Sequence, residues 1–128
     1  MDPKVLRIAV LSTVVLMIVG AVGTWATASV SGFSISVGGT DSGRDGIVVI
    51  VAAAIIAAAA VVAARGLLIL ALLAAAGAVA ISLYDVVDIS GTDPFSVGWG
   101  LWLALGASVV AVVDMTMLLL AGRATAQA

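Results

Sequence analysis

One carboxylate interrupts the apolar stretch AVVDMTMLLL at residues 111–120. Asp114 lies nine residues before Arg123, about 13 Å along a helix rising 1.5 Å per residue. An ionisable group at that depth marks a functional-site candidate, either for a proton or cation step or for fixing one helix against another. Ser12 and Thr13 in the first apolar run fall at a similar depth, and Arg7 lies lower with a side chain long enough to reach upward. These residues offer two dry closures: an Arg7–Asp114 ion pair, or a hydrogen bond from Ser12 or Thr13. A lone carboxylate with no second acid on another span is thin support for transport.

Asp41, Asp45, Asp85, Asp88 and Asp93 form a second constellation, in two loops on the opposite side. Carboxylates with backbone oxygens suit Ca²⁺. Asp41, Asp45 and Gly46 occupy the first, fifth and sixth positions of a calcium loop, but Gly43 stands at the third and Ala52 at the twelfth. The stretch is therefore no EF-hand. It stays a weak divalent-cation candidate beside the plainer reading of a solvated acidic face and negatively charged helix starts.

The chain has no His and no Cys. That excludes imidazole-ligated haem, thiolate zinc, iron–sulfur clusters and nucleophiles paired with a histidine. No Walker loop or dinucleotide fingerprint is present, and five basic residues are too few for nucleic acid. The expectation is a protein without enzymatic activity, cofactor or bound metal.

The elements that must position these residues follow from composition. Of 128 residues 64% are hydrophobic and 9% charged, against about 25% charged in a soluble domain. Four apolar runs, each near the ~20 residues a helix needs to cross a bilayer, predict helices at about 5–26, 47–64, 66–84 and 98–121. The runs lack the alternation of barrel strands. The expected fold is all-α: a single integral membrane domain over residues 1–128, a four-helix bundle with a small β-containing cap. The first run mimics a signal peptide, with Lys4 and Arg7 before it and Ala26-Thr27-Ala28 after it. Its length points instead to a retained helix.

Charge orients the bundle. With four spans, Lys4, Arg7, Arg65 and Arg123 share one side, while Arg44 and the five loop acids share the other. The positive-inside rule then puts both termini in the cytoplasm and loops 27–45 and 85–97 outside. Trp25, Tyr84, Trp99 and Trp102 gather at the outer helix ends, with Phe33 and Phe95 in the loops. This one-sided set suggests a packed outer cap in which Phe33 and Ile35 are buried. The alternation in FSISV (33–37) predicts a strand, with VVDIS (86–90) as its neighbour.

The two loops echo each other. GGTDSGRDGIVV (38–49) and SGTDPFSVGWGL (90–101) both place Gly-Thr-Asp five residues ahead of a glycine that opens an apolar run. Both halves read helix, loop, helix in the same direction, as in a parallel two-hairpin repeat. Alanine fills the second and third runs, which favours close helix approach and hence a homo-oligomer or a larger membrane complex as partner, besides the lipid bilayer.

The order of features resembles small four-span actinobacterial membrane proteins of uncharacterised function. The matching elements are Trp25 closing the first helix, the serine-rich strand ending in Gly39-Thr40-Asp41, the Asp45-Gly46 helix start, Tyr84-Asp85 closing the third helix, and Gly98-Trp99-Gly100-Leu101-Trp102 opening the fourth. The resemblance implies a bacterial plasma membrane and brings no activity. Claudin-like tetraspans share the helix–strand–helix plan, though not their cysteine pair. Two functions remain in view: a structural or accessory membrane protein, or a small proton or cation channel or carrier using Asp114.

Overall fold

The computed structural model describes residues 3–30, 33–39, 45–62, 64–91 and 95–127. In chain order its elements are α1 (Pro3–Val22), β1 (Thr24–Val30), β2 (Phe33–Gly38), α2 (Gly46–Val62), α3 (Arg65–Ser90), β3 (Phe95–Val97) and α4 (Trp99–Gln127). α1 packs on α2 and α4, and α3 packs on the same two helices. The helices thus close a ring, in which α2 and α4 also meet across the diagonal. The sheet lies at one end of the bundle, and the α2–α3 turn lies at the other.

Lys4–Val22, Arg65–Ser90 and Trp99–Ala121 are each long and apolar enough to cross a membrane. α2 is shorter at 17 residues, about 26 Å of helix against a hydrocarbon core of ~30 Å. Alanine recurs on the buried faces of α2, α3 and α4. On α3 the buried positions Leu68, Ala71, Ala75, Ala78, Ser82 and Val86 recur every three or four residues, which is one helical face. Leu70, Leu73, Leu83 and Val87 lie exposed on the others. Beside the larger Met17, Ile56, Leu101 and Met115, the core holds Ala52, Ala53, Ala59 and Ala60 on α2 and Ala104, Ala107 and Ala111 on α4. Such residues let backbones approach closely where lipid gives no hydrophobic reason to associate.

The sheet is antiparallel with the order β2-β1-β3. Thr24 pairs with Gly38, and Val30 with Phe33 at the hairpin tip, with a register irregularity between Thr24 and Ala26. Directly paired residues share a face. Ala26 and Ala28 therefore lie with Ile35, Val37, Phe95 and Val97 on one side, and Thr27 with Ser36 and Ser96 on the other. Thr27 and Ser96 join their hydroxyls at 2.9 Å on that polar side.

Three expectations about elements need correction. The first helix stops at Val22 rather than Ala26, because Thr24–Val30 is taken up as the central strand. Residues 86–90 are helical, not a strand: Val86 continues the buried stripe of α3, and Gly91 N–H closes the helix on Val87 O at 3.1 Å. The partner of FSISV is β1, whose other neighbour is Phe95–Val97.

Candidate functional site

The α1–α4 seam holds the buried carboxylate, Asp114, and its partner Thr13. Along α1 the buried positions are Leu6, Val10, Thr13, Val14, Met17, Gly20 and Ala21. Along α4 they are Gly100, Leu101, Ala104, Ala107, Ser108, Ala111, Asp114 and Met115. Near the sheet the two backbones touch. A Cβ placed on Gly20 would fall 2.6 Å from Ala104 N, and one on Gly100 would fall 2.8 Å from Gly20 O. Only glycine fits such a crossing, and this fixes the register of the seam.

Further from the sheet, that register brings Thr13 opposite Asp114. The two are 4% and 6% exposed. Thr13 Oγ1 lies 2.9 Å from Asp114 Oδ2 and 2.9 Å from the carbonyl oxygen of Ala9. A hydroxyl carries one proton, so Thr13 donates to one of these acceptors at a time. Fully buried Val10, Met17, Ala111 and Met115 flank the pair on the two helices.

Of the proposed partners of Asp114, the structure selects Thr13. Ser12 and Arg7 are exposed, and among the described residues neither bonds the carboxylate. The reason is rotational. At about 100° per residue, Ser12 is turned off the Thr13 face by that angle, and Arg7, six residues away, by about 120°.

The loop acids fall in different elements where they are described. Asp45 is half-buried ahead of α2, and its carbonyl accepts from Val48 N–H at 3.0 Å and Val49 N–H at 3.3 Å. Asp85 and Asp88 belong to the last turns of α3, and Asp41 and Asp93 fall outside the described residues. Among the described residues no three carboxylates are placed to hold a metal ion.

The aromatic cap is also smaller than expected. Trp25 is 3% exposed and Phe95 is half-buried. Phe33 and Ile35 are 76% and 60% exposed, a correction to their expected burial. Both lie on β2, the edge strand of the sheet, Phe33 opposite Val30 at the hairpin tip and Ile35 opposite the buried Ala28 of the central strand. Tyr84, Trp99 and Trp102 likewise turn outward, although the Trp99 ring covers Gly23.

Two features escaped the sequence reading. The Trp25 indole N–H donates to Gly20 O at 2.8 Å, capping a carbonyl at the end of α1. A tryptophan five residues past a glycine near a helix end was the available signal. Ser82 Oγ is buried and has no hydrogen-bond partner among the described residues, whereas Ser108 Oγ donates to Ala104 O at 2.6 Å. Comparison with protein-family models, curated proteins and solved structures finds no match.

Proposed function

We propose that the chain is a non-enzymatic structural or accessory protein of the bacterial plasma membrane. In this reading it crosses four times with both termini cytoplasmic, and it self-associates or docks beside a larger membrane complex. The observation that carries the reading is the closure of Asp114 by Thr13 in a buried seam: the carboxylate joins helices instead of facing a path. The outer surface adds support. Gly77 on α3 and Gly106 on α4 are exposed, with nothing within 4 Å of where a Cβ would stand. Ala54 and Ala58, one turn apart on α2, are exposed as well. Small outward-facing residues let a further helix come close.

Flux measurement in proteoliposomes, combined with native mass spectrometry from the membrane, tests the proposal. The expected result is no proton or potassium flux and a mass above that of one chain. A pH-dependent flux that Asp114→Asn abolishes would overturn it. On the structural reading, Asn should be tolerated within about 0.5 kcal/mol, because its amide donates to Thr13 Oγ1 and releases the Thr13 proton for Ala9 O. Thr13→Val strands the carboxylate and should cost about 1–3 kcal/mol in detergent unfolding, with Thr13→Val/Asp114→Leu recovering part of the loss.

A further inference from the structure

We infer that the chain holds an anionic phospholipid in a groove between α3 and α4, at the end of the bundle remote from the sheet. The inference rests on the membrane reading above, which puts this end at the cytoplasmic leaflet.

The groove has a volume of about 310 Å³. Ile69 and Leu72 of α3 and Leu119 and Leu120 of α4 give it apolar walls, with Thr116 between them. The Thr116 hydroxyl is already committed to Val112 O at 2.8 Å, so the groove presents little that asks for water. Arg65, the exposed first residue of α3, also lines it. Arg65, Ile69 and Leu72 stand at i, i+4 and i+7, so one face of α3 carries a cation at its end and then an apolar wall.

The Arg65 guanidinium is exposed, and among the described residues no acid pairs with it. It has five donors in a planar fork that matches phosphate oxygens. A single long ligand satisfies both parts of the site: an acyl chain between Leu72, Leu119 and Leu120, and a phosphate with net negative charge on Arg65. Basic pockets between spans at the cytoplasmic side take such headgroups. A zwitterionic lipid offers the same chain and phosphate but adds a cation beside Arg65, so charge should discriminate between the two.

The test titrates the purified full chain in detergent with phosphatidylglycerol or phosphatidylcholine carrying identical acyl chains, and counts bound lipid by native mass spectrometry. Phosphatidylglycerol should bind about fivefold tighter, the ratio expected of one basic side chain near an anionic headgroup. Arg65→Gln should bring it down to the phosphatidylcholine level, whereas Arg7→Gln, on an exposed face of α1, should leave the preference intact. Thr116→Trp should fill the groove and weaken both lipids together. Equal binding of the two lipids by the wild type would overturn the proposal, as would a preference that survives Arg65→Gln or disappears with Arg7→Gln. Alkaline washing of cell membranes checks the underlying reading separately. A chain released by the wash overturns both inferences, while a chain retained but without lipid preference overturns the lipid site alone.

Discussion

The two connections at the sheet end share a Gly-Thr-Asp triplet five residues ahead of a glycine and fold differently. Between α1 and α2 the chain makes β1 and β2, and Gly39 then donates its N–H to Gly23 O at 3.1 Å, buried beside Trp25. Between α3 and α4 it makes β3 alone, and the matching Gly91 simply closes α3, exposed, with φ −88° and ψ 0°. The later glycine of each motif behaves alike in both. Gly46 opens α2 and Gly98 immediately precedes α4; both are buried, and a Cβ on either would run into backbone, at Gly39 or Thr24 respectively. Gly46 N–H donates to Gly39 O and Gly98 N–H to Trp25 O, each at 2.8 Å. A shared sequence motif therefore has one half fixed by space and one half free to diverge. What the two halves have in common is a narrow start to the descending helix.

Substitution should separate these roles. The largest loss is expected from Gly98→Ala and Gly46→Ala, where rigid backbone must yield; overpacking costs typically about 1–3 kcal/mol, and these should lie at the upper end. Thermal unfolding in detergent followed by circular dichroism reads the effect, and a stable Gly98→Ala variant would break the equivalence. Next comes Trp25→Phe, which keeps most of the ring but removes the indole bond to Gly20 O and leaves that carbonyl only the Gly23 N–H at 3.3 Å, at about 0.5–1.5 kcal/mol. Only the first connection has this cap, so the second tells nothing by symmetry. Thr27→Val, on the exposed side of the sheet, should cost no more than about 1 kcal/mol. Smallest of all are Gly91→Ala and Phe33→Ser. The first occupies an ordinary right-handed conformation and the second an exposed position, so each should stay within about 0.5 kcal/mol.

Helices were legible because their signal is additive. Twenty or so apolar residues in a row need no partner to be read, and three long apolar helices appear where the runs stand. Strand neighbours were not, because pairing is settled between segments. Val86 and Val87 suit a strand, yet Val86 also completes the α3 stripe that begins at Leu68, and the helix keeps it. At the seam, depth along the chain put both Ser12 and Thr13 level with Asp114. Choosing between them required the rotation of α1, which the Gly20–Gly100 crossing sets. The exposure of Phe33 was hidden for a similar reason: alternation shows which side of a strand is apolar, not how far the cover extends.

The arrangement of the three tryptophans has an optical consequence. Trp25 is sealed, with its indole N–H bonded, while Trp99 and Trp102 are 58% and 52% exposed. Excitation of the folded chain should therefore give two emitting populations, one shielded from collisional quenchers and one open to them. Iodide in the aqueous phase or bromine on lipid chains would sort the open pair by depth and leave the third ring alight. Unfolding of the α1 terminus would then register as the moment the shielded fraction joins the rest, without any label added to the protein.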